Sequence, residues 1–364
     1  MRVAILGAGA GGASAAVELV RDGHEVRLWN RSPATIEGFA TARGIHHAGV
    51  LGEGFMPLDI ITTELKLAAA RAEVLLVCLP TLAHAALAQG LVDANIVHIP
   101  TILNPGHTGG ALEFSQVFRK NGLVPPPVAE FSTLTYVARV QRPGFVVTTG
   151  RAKTVRVAAM PGGHRALDSA LSLYDCARPV ANVLVTSLSN VNMVLHPPGS
   201  ILAAAWVEAT GGNFTFYVEG LTDGVARVMQ SLDAERRAVG RGFGIELPPL
   251  FDEMQAIGTI ECNVDAAVGL AAAIRGGAAN RLIKAPGGFA HRYFQEDLWY
   301  GLGPFLVLAA IAGVETACAR SLMQLGELAA GPHAPAGRRT AVEMGIAGLD
   351  RDALLAFVTE RLDT

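Results

Sequence analysis

The sequence contains few cysteines and little net charge. Its four cysteines, Cys78, Cys176, Cys262 and Cys318, lie far apart in 364 residues, and the lack of a CxxC pair argues against a zinc knuckle, a redox dithiol and a disulfide framework. The formal net charge of −3 supplies no basic field for nucleic acid or an anionic membrane surface. We therefore expect reduced thiols in a cytoplasmic protein, with no metal and no nucleic-acid partner.

The sequence also lacks an apolar run long enough to cross a membrane. Residues 3–20 are largely apolar, but they contain four glycines and Glu18, which indicates a strand, a turn and a helix rather than a signal peptide. Residues 303–319 are short for a membrane span and include Glu315, so we interpret them as a buried helix. No membrane partner is expected.

Apolar residues are plentiful instead. They make up 51% of the chain, which at this length is enough for the cores of two domains. Residues 1–32 predict one β-α-β unit, with an apolar strand around Val3 and Ile5, a helix over 13–20 and a second strand over 25–30. This unit is typical of a nucleotide-binding domain.

The turn between the first strand and its helix is rich in glycine. Gly7, Gly9 and Gly12 have the GxGxxG spacing: the first permits a tight turn, the second lets backbone approach a pyrophosphate, and the third allows helix and strand to pack closely. A plain glycine-rich turn is the alternative, but the position between a strand and a helix favours a dinucleotide. The predicted cofactor-binding residues are Gly7, Ala8, Gly9, Ala10, Gly11 and Gly12.

Three residues after the second strand bear on the choice of cofactor. Asn30, Arg31 and Ser32 stand where an acidic residue would bind the ribose of NAD. No carboxylate there would repel a 2′-phosphate, and the Arg31 guanidinium would hold one, so NADP(H) is favoured over NAD(H). An exposed loop arginine is the alternative. Pro80 follows a fully apolar strand, and we expect it on the nicotinamide side of the cofactor.

Predicted strands continue to about residue 180 and then disappear. Residues 95–114 predict a strand, a glycine-rich turn and a helix that begins near Gly109, and residues 124–161 add strands at the far edge of the sheet. From about Asn182 onward, helices with glycine or proline stops predominate. The predicted fold class is an α/β Rossmann domain over 1–180, followed by an all-α C-terminal domain over 181–364.

The segment NVNMVLHPPGS, residues 190–200, ends an apolar helical run. Pro197 and Pro198 suit the first turn of a helix, so we expect one helix to end near Leu195 and another to begin at the prolines. His196 would then be held at a helix junction, where an imidazole can exchange a proton with a substrate. A core histidine satisfied by backbone groups is the alternative.

Two other stretches of the second half carry charge. Glu296 and Asp297 precede the apolar residues 303–319, where acids are either helix caps or functional groups. One of them would orient His196 and raise its basicity. The charged residues of the helix predicted within 216–245 are interpreted as a solvated face: Asp233, Glu235, Arg236 and Arg237.

Motifs along nearly the whole chain resemble the octopine/opine dehydrogenase family: GAGAGG at 7–12, NPGHTGGALEF at 104–114, NVNMVLHPPGSIL at 190–202, FYVEGLT at 216–222, LDAERRAV at 232–239 and RYFQEDLWYGL at 292–302. The resemblance implies a Rossmann domain, a helical second domain, and NAD(P)H-dependent condensation of an amino acid's amine with a 2-oxo acid. It implies that His196 is the catalytic histidine and Asp297 its partner. His107 departs from the family pattern, which has arginine there, and points to a less acidic or differently bound substrate.

The predicted reaction forms an imine from an amine and a carbonyl, and the nicotinamide delivers hydride to the imine carbon. Glu130 is predicted to receive the substrate ammonium, and Arg139 and Arg292 to bind carboxylate, although each has a structural alternative in a strand end or a surface ion pair. A ketone or 2-oxo acid reductase that forms an alcohol, and a redox sensor that binds NADP(H) without turnover, stay open as alternatives. We expect a homodimer whose other partners are a small amine and a 2-oxo acid.

Overall fold

The computed structural model describes residues 1–278 and 280–359. Contacts within the chain divide it into two compact units. The first contains Met1–Gly106 and Gly110–Val183, together with Val358 and Thr359, and the second contains His107–Gly109 and Leu184–Phe357. The loop 107–109 thus belongs to the second unit, although both of its neighbours in sequence belong to the first. The domain limits 1–180 and 181–364 stay a prediction.

The described residues of the first unit form twelve strands: β1 Arg2–Leu6, β2 Glu25–Trp29, β3 Gly44–Gly49, β4 Gly54–Pro57, β5 Ile60–Thr62, β6 Val74–Val77, β7 Thr101–Leu103, β8 Val128–Phe131, β9 Tyr136–Arg142, β10 Phe145–Arg151, β11 Val155–Ala159 and β12 Ala177–Pro179. Eight of them form one sheet in the order β12-β11-β8-β7-β6-β1-β2-β5. From β5 to β8 the neighbouring strands are parallel. This strand order is typical of dinucleotide-binding domains, so the predicted Rossmann fold is confirmed.

Helices connect the strands of this sheet: α1 Ala10–Arg21, α2 Pro33–Ala42, α3 Leu65–Ala69, α4 His84–Asp93, α5 Gly110–Lys120 and α6 His164–Leu173, with a 3₁₀ turn at Thr81–Ala83. All four residues of β6 are buried, and so are four of the five residues of β1. Continuous apolar runs of this kind suit strands covered by helices. The sheet places the loops after β2, β1 and β6 next to one another, because these strands are parallel neighbours.

Residues 136–151 do not extend the main sheet, contrary to the prediction. The strands β9 and β10 form a second sheet in the order β4-β3-β10-β9, in which β10 pairs in parallel with β3 and antiparallel with β9. The prediction was wrong because alternating apolar residues indicate a strand but do not identify its partner. The strands β8 and β11 do lie in the main sheet.

The chain from Val183 onward is helical: α7 Val183–Leu188, α8 Val191–Leu202, α9 Ala204–Thr210, α10 Asp223–Gly242, α11 Leu250–Ile257, α12 Leu270–Gly276, α13 Arg292–Gln295, α14 Gly303–Ala312, α15 Ala317–Ala330 and α16 Arg351–Val358, with 3₁₀ turns at Ala266–Val268 and Gly331–His333 and a π-helical turn at Leu298–Leu302. Among the described residues of this part, the β pairing is limited to an isolated bridge between Thr215 and Lys284. The predicted all-α character is confirmed. No helix within the described residues is both long and apolar enough to span a membrane.

Helix α8 runs through both prolines, contrary to the prediction. It begins after Asn190, whose Oδ1 accepts a hydrogen bond from the Asn192 backbone N–H at 3.2 Å, and it continues past Pro197 and Pro198. A proline inside a helix costs about 3 kcal/mol, but ten residues of α8 are buried, and each large apolar side chain contributes about 1.5–3 kcal/mol on burial. His196 therefore lies within a continuous helix and not at a junction.

The charged residues of α10 are not a solvated face, again contrary to the interpretation from sequence. Arg236 is fully buried, and its guanidinium pairs with the carboxylate of Asp233 at 2.7 Å. The carboxylate of Glu235 accepts hydrogen bonds from the backbone N–H groups of Cys318 and Ala319 in the first turn of α15. The spacing of charges along a helix does not reveal which of them find buried partners.

Candidate active site

Steric contacts shape the glycine-rich loop between β1 and α1. Gly7 has a φ of +123°, and a Cβ there would lie 2.5 Å from the carbonyl oxygen of Cys78. A Cβ on Gly12 would lie 1.8 Å from the carbonyl oxygen of Gly7, whereas a Cβ on Gly9 would meet no atom within 4 Å. The fold itself therefore requires glycine at positions 7 and 12, while Gly9 leaves open space at the start of α1.

The start of α1 has the chemistry that a pyrophosphate needs. Gly9 is the N-cap residue and has no side chain to cap the helix, and the first turn contains no acidic residue. Backbone N–H groups in such a turn attract anions through their own charge and the helix dipole. The Ala8 N–H donates to Asn30 Oδ1 at 3.1 Å, and Asn30 Nδ2 donates to the Ser32 carbonyl at 3.3 Å. Asn30 thus holds the loop to the end of β2, and the residues present fit a dinucleotide.

The other predicted cofactor-binding residues lie at the same edge of the sheet. Arg31 and Ser32 are exposed directly after β2, and Ser32 is the N-cap residue of α2. Pro80 is exposed after β6, where it precedes a 3₁₀ turn. His84 follows this turn, and its Nε2 lies 3.2 Å from the Leu79 carbonyl oxygen. The structure therefore brings the glycine loop, the end of β2 and the end of β6 together.

Two predicted substrate-binding residues of the first unit have different surroundings. Glu130 on β8 is fully buried, and its Oε2 accepts a hydrogen bond from the Ala111 backbone N–H in the first turn of α5 at 2.7 Å. Arg139 on β9 is exposed and donates to the carbonyl of Ala138 at 2.8 Å. Glu130 stabilises the start of α5 through this bond. The substrate-binding roles of both residues stay predictions.

His196 and Asp297 form a hydrogen-bonded pair in the second unit. The imidazole Nδ1 lies 2.7 Å from Asp297 Oδ2, and the two side chains are 3% and 2% exposed. Helix α8 carries the histidine, and Asp297 directly precedes the π-helical turn Leu298–Leu302. An ionised carboxylate only accepts hydrogen bonds, so Nδ1 carries the proton and leaves Nε2 as an acceptor. This is the tautomer that a histidine base needs.

The second ring nitrogen of His196 is also engaged. Nε2 lies 2.7 Å from the hydroxyl oxygen of Tyr217. The ring of Tyr293 stacks on the imidazole with centroids 3.7 Å apart and an angle of 19° between the planes. The ring of Phe216 meets the imidazole at an edge, with centroids 6.0 Å apart. These contacts fix the orientation of the imidazole.

Burial controls the charges in this cluster. It raises the pKa of Asp297 from 3.8 to about 6, and electrostatic interactions with His107 and Arg292 oppose this shift. Asp297 Oδ1 is buried without a hydrogen-bond partner among the described residues. Burial, assisted by Tyr293, raises the pKa of Tyr217 well above 10. Near neutral pH the cluster therefore holds the Asp297 carboxylate and the neutral phenol of Tyr217.

Arg292 lies beside this pair. Its guanidinium carbon lies 5.6 Å from the centroid of the Tyr293 ring, which stacks on His196. A planar guanidinium can bind a carboxylate through two parallel hydrogen bonds. Of the three predicted substrate-binding residues, Arg292 is the one in the unit that contains His196 and Asp297.

His107, in the loop 107–109, lies close to the acidic residues Glu296 and Asp297. It has a φ of +58°, it is 5% exposed, and its Nε2 lies 3.5 Å from Glu296 Oε1. The next residue, Thr108, is held by its carbonyl, which accepts a hydrogen bond from Arg339 Nη1 at 2.7 Å, and by its hydroxyl, which donates to the Ser187 carbonyl. The histidine at this departure from the family pattern thus faces Glu296.

The sequence did not assign a role to Tyr217, to Tyr293 or to the contact between His107 and Glu296. Both tyrosines occur in the motifs 216–222 and 292–302, and the second of these contains Asp297. The shared motif with Asp297 was a signal that could have found Tyr293, whereas the motif that contains Tyr217 carries no candidate catalytic residue. Among the described residues, no group of three or more His, Cys, Asp or Glu side chains is arranged to hold a metal ion.

Known dehydrogenases match both halves of this chain. The family described as NAD/NADP octopine/nopaline dehydrogenase, alpha-helical domain, matches residues 179–330, and the NAD-dependent glycerol-3-phosphate dehydrogenase N-terminus matches residues 2–102. The solved structure of octopine dehydrogenase in complex with NADH and agmatine has a TM-score of 0.74 at 20% identity and covers 98% of both chains. Apo yersinopine dehydrogenase has a TM-score of 0.73 at 17% identity and covers 95% of this chain and 97% of its own. These structures share the fold.

Sequence identity extends over nearly the whole chain. An opine dehydrogenase from Arthrobacter sp. (strain 1C) is 31% identical over 348 residues, which are 95% of this chain and 95% of that enzyme. The match includes both units. This chain therefore belongs to the octopine/opine dehydrogenase family, NAD(P)-dependent oxidoreductases that act on CH–NH donors.

Proposed function

We propose that this protein is an NADPH-preferring opine dehydrogenase, which condenses an amino acid with a 2-oxo acid and reduces the imine to a secondary amine. The buried hydrogen bond of 2.7 Å between His196 Nδ1 and Asp297 Oδ2 carries this proposal, because it orients an imidazole for proton transfer. The glycine loop, Asn30, Arg31, Ser32 and Pro80 would hold the dinucleotide. When bound, the nicotinamide supplies the hydride for the imine carbon.

The proton chemistry is assigned to His196 and Asp297. Only a neutral amine attacks a carbonyl, so the substrate ammonium must first lose a proton, and the imidazole accepts it. The neutral amine adds to the carbonyl, and a proton moves from its nitrogen to the oxygen to give the carbinolamine. The carbinolamine loses its hydroxyl group as water when the imidazolium returns a proton, which leaves an iminium ion as the acceptor of the hydride. The carboxylate of Asp297 stabilises the imidazolium between these steps.

Substrate recognition is assigned first to Arg292. Its guanidinium beside the Tyr293 ring is suited to the carboxylate of the amino acid or the oxo acid. Glu130 and Arg139 stay candidates for the ammonium and for a second carboxylate. His107, where the family pattern has arginine, supports a substrate with less negative charge.

The assay that tests the proposed function follows the oxidation of NADPH and NADH with a panel of 2-oxo acids and amines. Each compound is supplied singly and in pairs, and the product is identified by mass spectrometry. Oxidation that requires both partners, with a secondary amine as product, is the expected result. Oxidation with the oxo compound alone would show a carbonyl reductase, and binding of NADPH without any turnover would show a sensor.

Arg31→Ala is expected to weaken NADPH binding by about tenfold or more, because a hydrogen bond between charged groups contributes about 1.5–3 kcal/mol. Binding of NADH, which lacks the 2′-phosphate, should change little. Titrations of tryptophan fluorescence with both nucleotides measure the two dissociation constants. Arg165→Ala is the matched control, since Arg165 is an exposed arginine on α6 of the same unit. Equal losses for both nucleotides would contradict the assignment of Arg31 to the 2′-phosphate.

The proposal includes a cytoplasmic location, which the four free cysteines support, because unpaired thiols are typical of a reducing compartment. The homodimer expected from the sequence stays a prediction. Light scattering of the purified protein measures its molar mass directly.

A further inference from the structure

We infer that Tyr217 carries protons between His196 and the substrate, so that Asp297, His196 and Tyr217 act as one relay. This inference rests on the proposed function, because it assigns a path to the protons of that reaction. Its basis is the hydroxyl of Tyr217, which lies 2.7 Å from His196 Nε2. This nitrogen is the one that the bond to Asp297 leaves available for chemistry.

Among the described residues, both ring nitrogens of His196 and one face of its ring have close neighbours. Nδ1 is bonded to Asp297, Nε2 is bonded to Tyr217, and the ring of Tyr293 covers one face at 3.7 Å between centroids. His196 is 3% exposed. A proton transfer requires a hydrogen-bonded donor and acceptor, and the Tyr217 hydroxyl already meets this condition at Nε2.

The relay moves two protons in one step, one from the substrate to Tyr217 and one from Tyr217 to His196. When the substrate ammonium is deprotonated, its N–H bond breaks as an O–H bond forms at the Tyr217 oxygen, while the original Tyr217 O–H bond breaks as an N–H bond forms at His196 Nε2. The phenol is neutral before and after, and the positive charge moves from the substrate to the imidazole. When the carbinolamine loses water, both transfers run in reverse and the leaving hydroxyl receives the proton.

The charges around the relay suit a neutral phenol. The Asp297 carboxylate faces the imidazole at Nδ1. Arg292 and Tyr293 lie on α13, which ends shortly before Asp297 in the sequence. Glu296 and His107 form the neighbouring contact. Burial holds the pKa of Tyr217 well above 10, so a phenolate does not accumulate, and the hydroxyl must gain one proton as it loses the other.

Tyr217→Phe is the matched test, because it removes the hydroxyl and keeps the ring that packs against Phe216 with centroids 5.0 Å apart. We expect kcat to fall by about 10²-fold, with KM for both substrates changed by less than about threefold. In single-turnover reactions in mixtures of H₂O and D₂O, the wild type should show a curved dependence on deuterium content, as two moving protons require. The variant should show a linear dependence and a smaller isotope effect.

Tyr136→Phe is the control for the loss of a buried tyrosine hydroxyl. Tyr136 bonds Glu18 in the first unit, so this variant should lower Tm while kcat stays near that of the wild type. A Tyr217→Phe variant with kcat within about twofold of the wild type and an unchanged isotope effect would overturn the relay. The hydroxyl would then be a hydrogen-bond partner of His196 that takes no part in proton transfer. If the variant does not fold, a linear dependence in the wild type alone would overturn it. Inactivity of the wild type with every pair of substrates would instead refute the proposed function.

Discussion

Replacing His196 with alanine is expected to lower kcat by about 10²–10⁴-fold, the range typical of a lost general acid and base. The substitution removes the proton acceptor for the ammonium and the donor for the carbinolamine hydroxyl. Cofactor binding should persist, because the residues proposed to hold the dinucleotide lie in the other unit. Steady-state kinetics with the active substrate pair and a fluorescence titration with NADPH measure the two quantities separately.

His333→Ala is the control for this experiment. His333 is an exposed histidine of the same unit, and surface substitutions usually change free energies by no more than about 0.5 kcal/mol. Its kcat should therefore stay within about twofold of the wild type. If His196→Ala kept a tenth or more of the wild-type kcat, the histidine would be a core residue, which is the alternative that the sequence left open.

Asp297→Asn is expected to lower kcat by a similar factor of about 10²–10⁴. The amide carries no charge to stabilise the imidazolium, and its NH₂ group can donate to His196 Nδ1. The proton would then move to Nε2, which could no longer accept one from Tyr217. Glu296→Gln is the matched control, because it neutralises the adjacent acid, which faces His107 at 3.5 Å, and keeps the partner of His196.

The same substitution should stabilise the fold at high pH relative to the wild type. The Asp297 carboxyl has a pKa of about 6 in the folded protein, against an ordinary value of 3.8. The folded state therefore binds the proton more tightly, and ionisation of Asp297 costs about 3 kcal/mol of folding free energy. This cost is absent below pH 3.8, grows as the pH rises towards 6, and is complete above that value. Asparagine has no such cost.

Thermal unfolding of both proteins between pH 4 and 8 measures this effect, and the Tm of Asp297→Asn minus that of the wild type should rise across the window. The wild-type kcat should fall as the pH drops below about 6, when Asp297 becomes protonated, whereas the variant should lack this limb. A difference in Tm that stays constant with pH would contradict a raised pKa for Asp297. Full activity of the variant would contradict its role as the partner of His196.

Local chemistry accounts for the parts of the fold that could be predicted. Gly7 follows from its positive φ, and Gly12 follows from its close approach to the Gly7 carbonyl, and both of these requirements act within a few residues. The alternation of strand and helix over 1–32 follows from apolar periodicity in the same way. The pairing of His196 with Asp297, 101 residues apart, was predicted from a resemblance to a family and not from the spacing itself.

Packing decided what local patterns could not. Helix α8 continues through Pro197 and Pro198 because its buried residues contribute more than the prolines cost. Arg236 and Asp233 can be buried because they form an ion pair inside the helical unit. Their spacing in the sequence does not reveal this, because arginine and aspartate three residues apart are usually exposed on a helix.

By itself the sequence determined the nucleotide-binding fold and the glycine loop, because these depend on local sterics and periodicity, and its family resemblance indicated the two residues of the candidate dyad. Tertiary structure alone decided that β9 and β10 form a second sheet and that Tyr217 meets His196 Nε2. The physical reason is that a side chain's contacts depend on which distant segments pack beside it, and that choice minimises the free energy of the whole fold rather than that of any one segment.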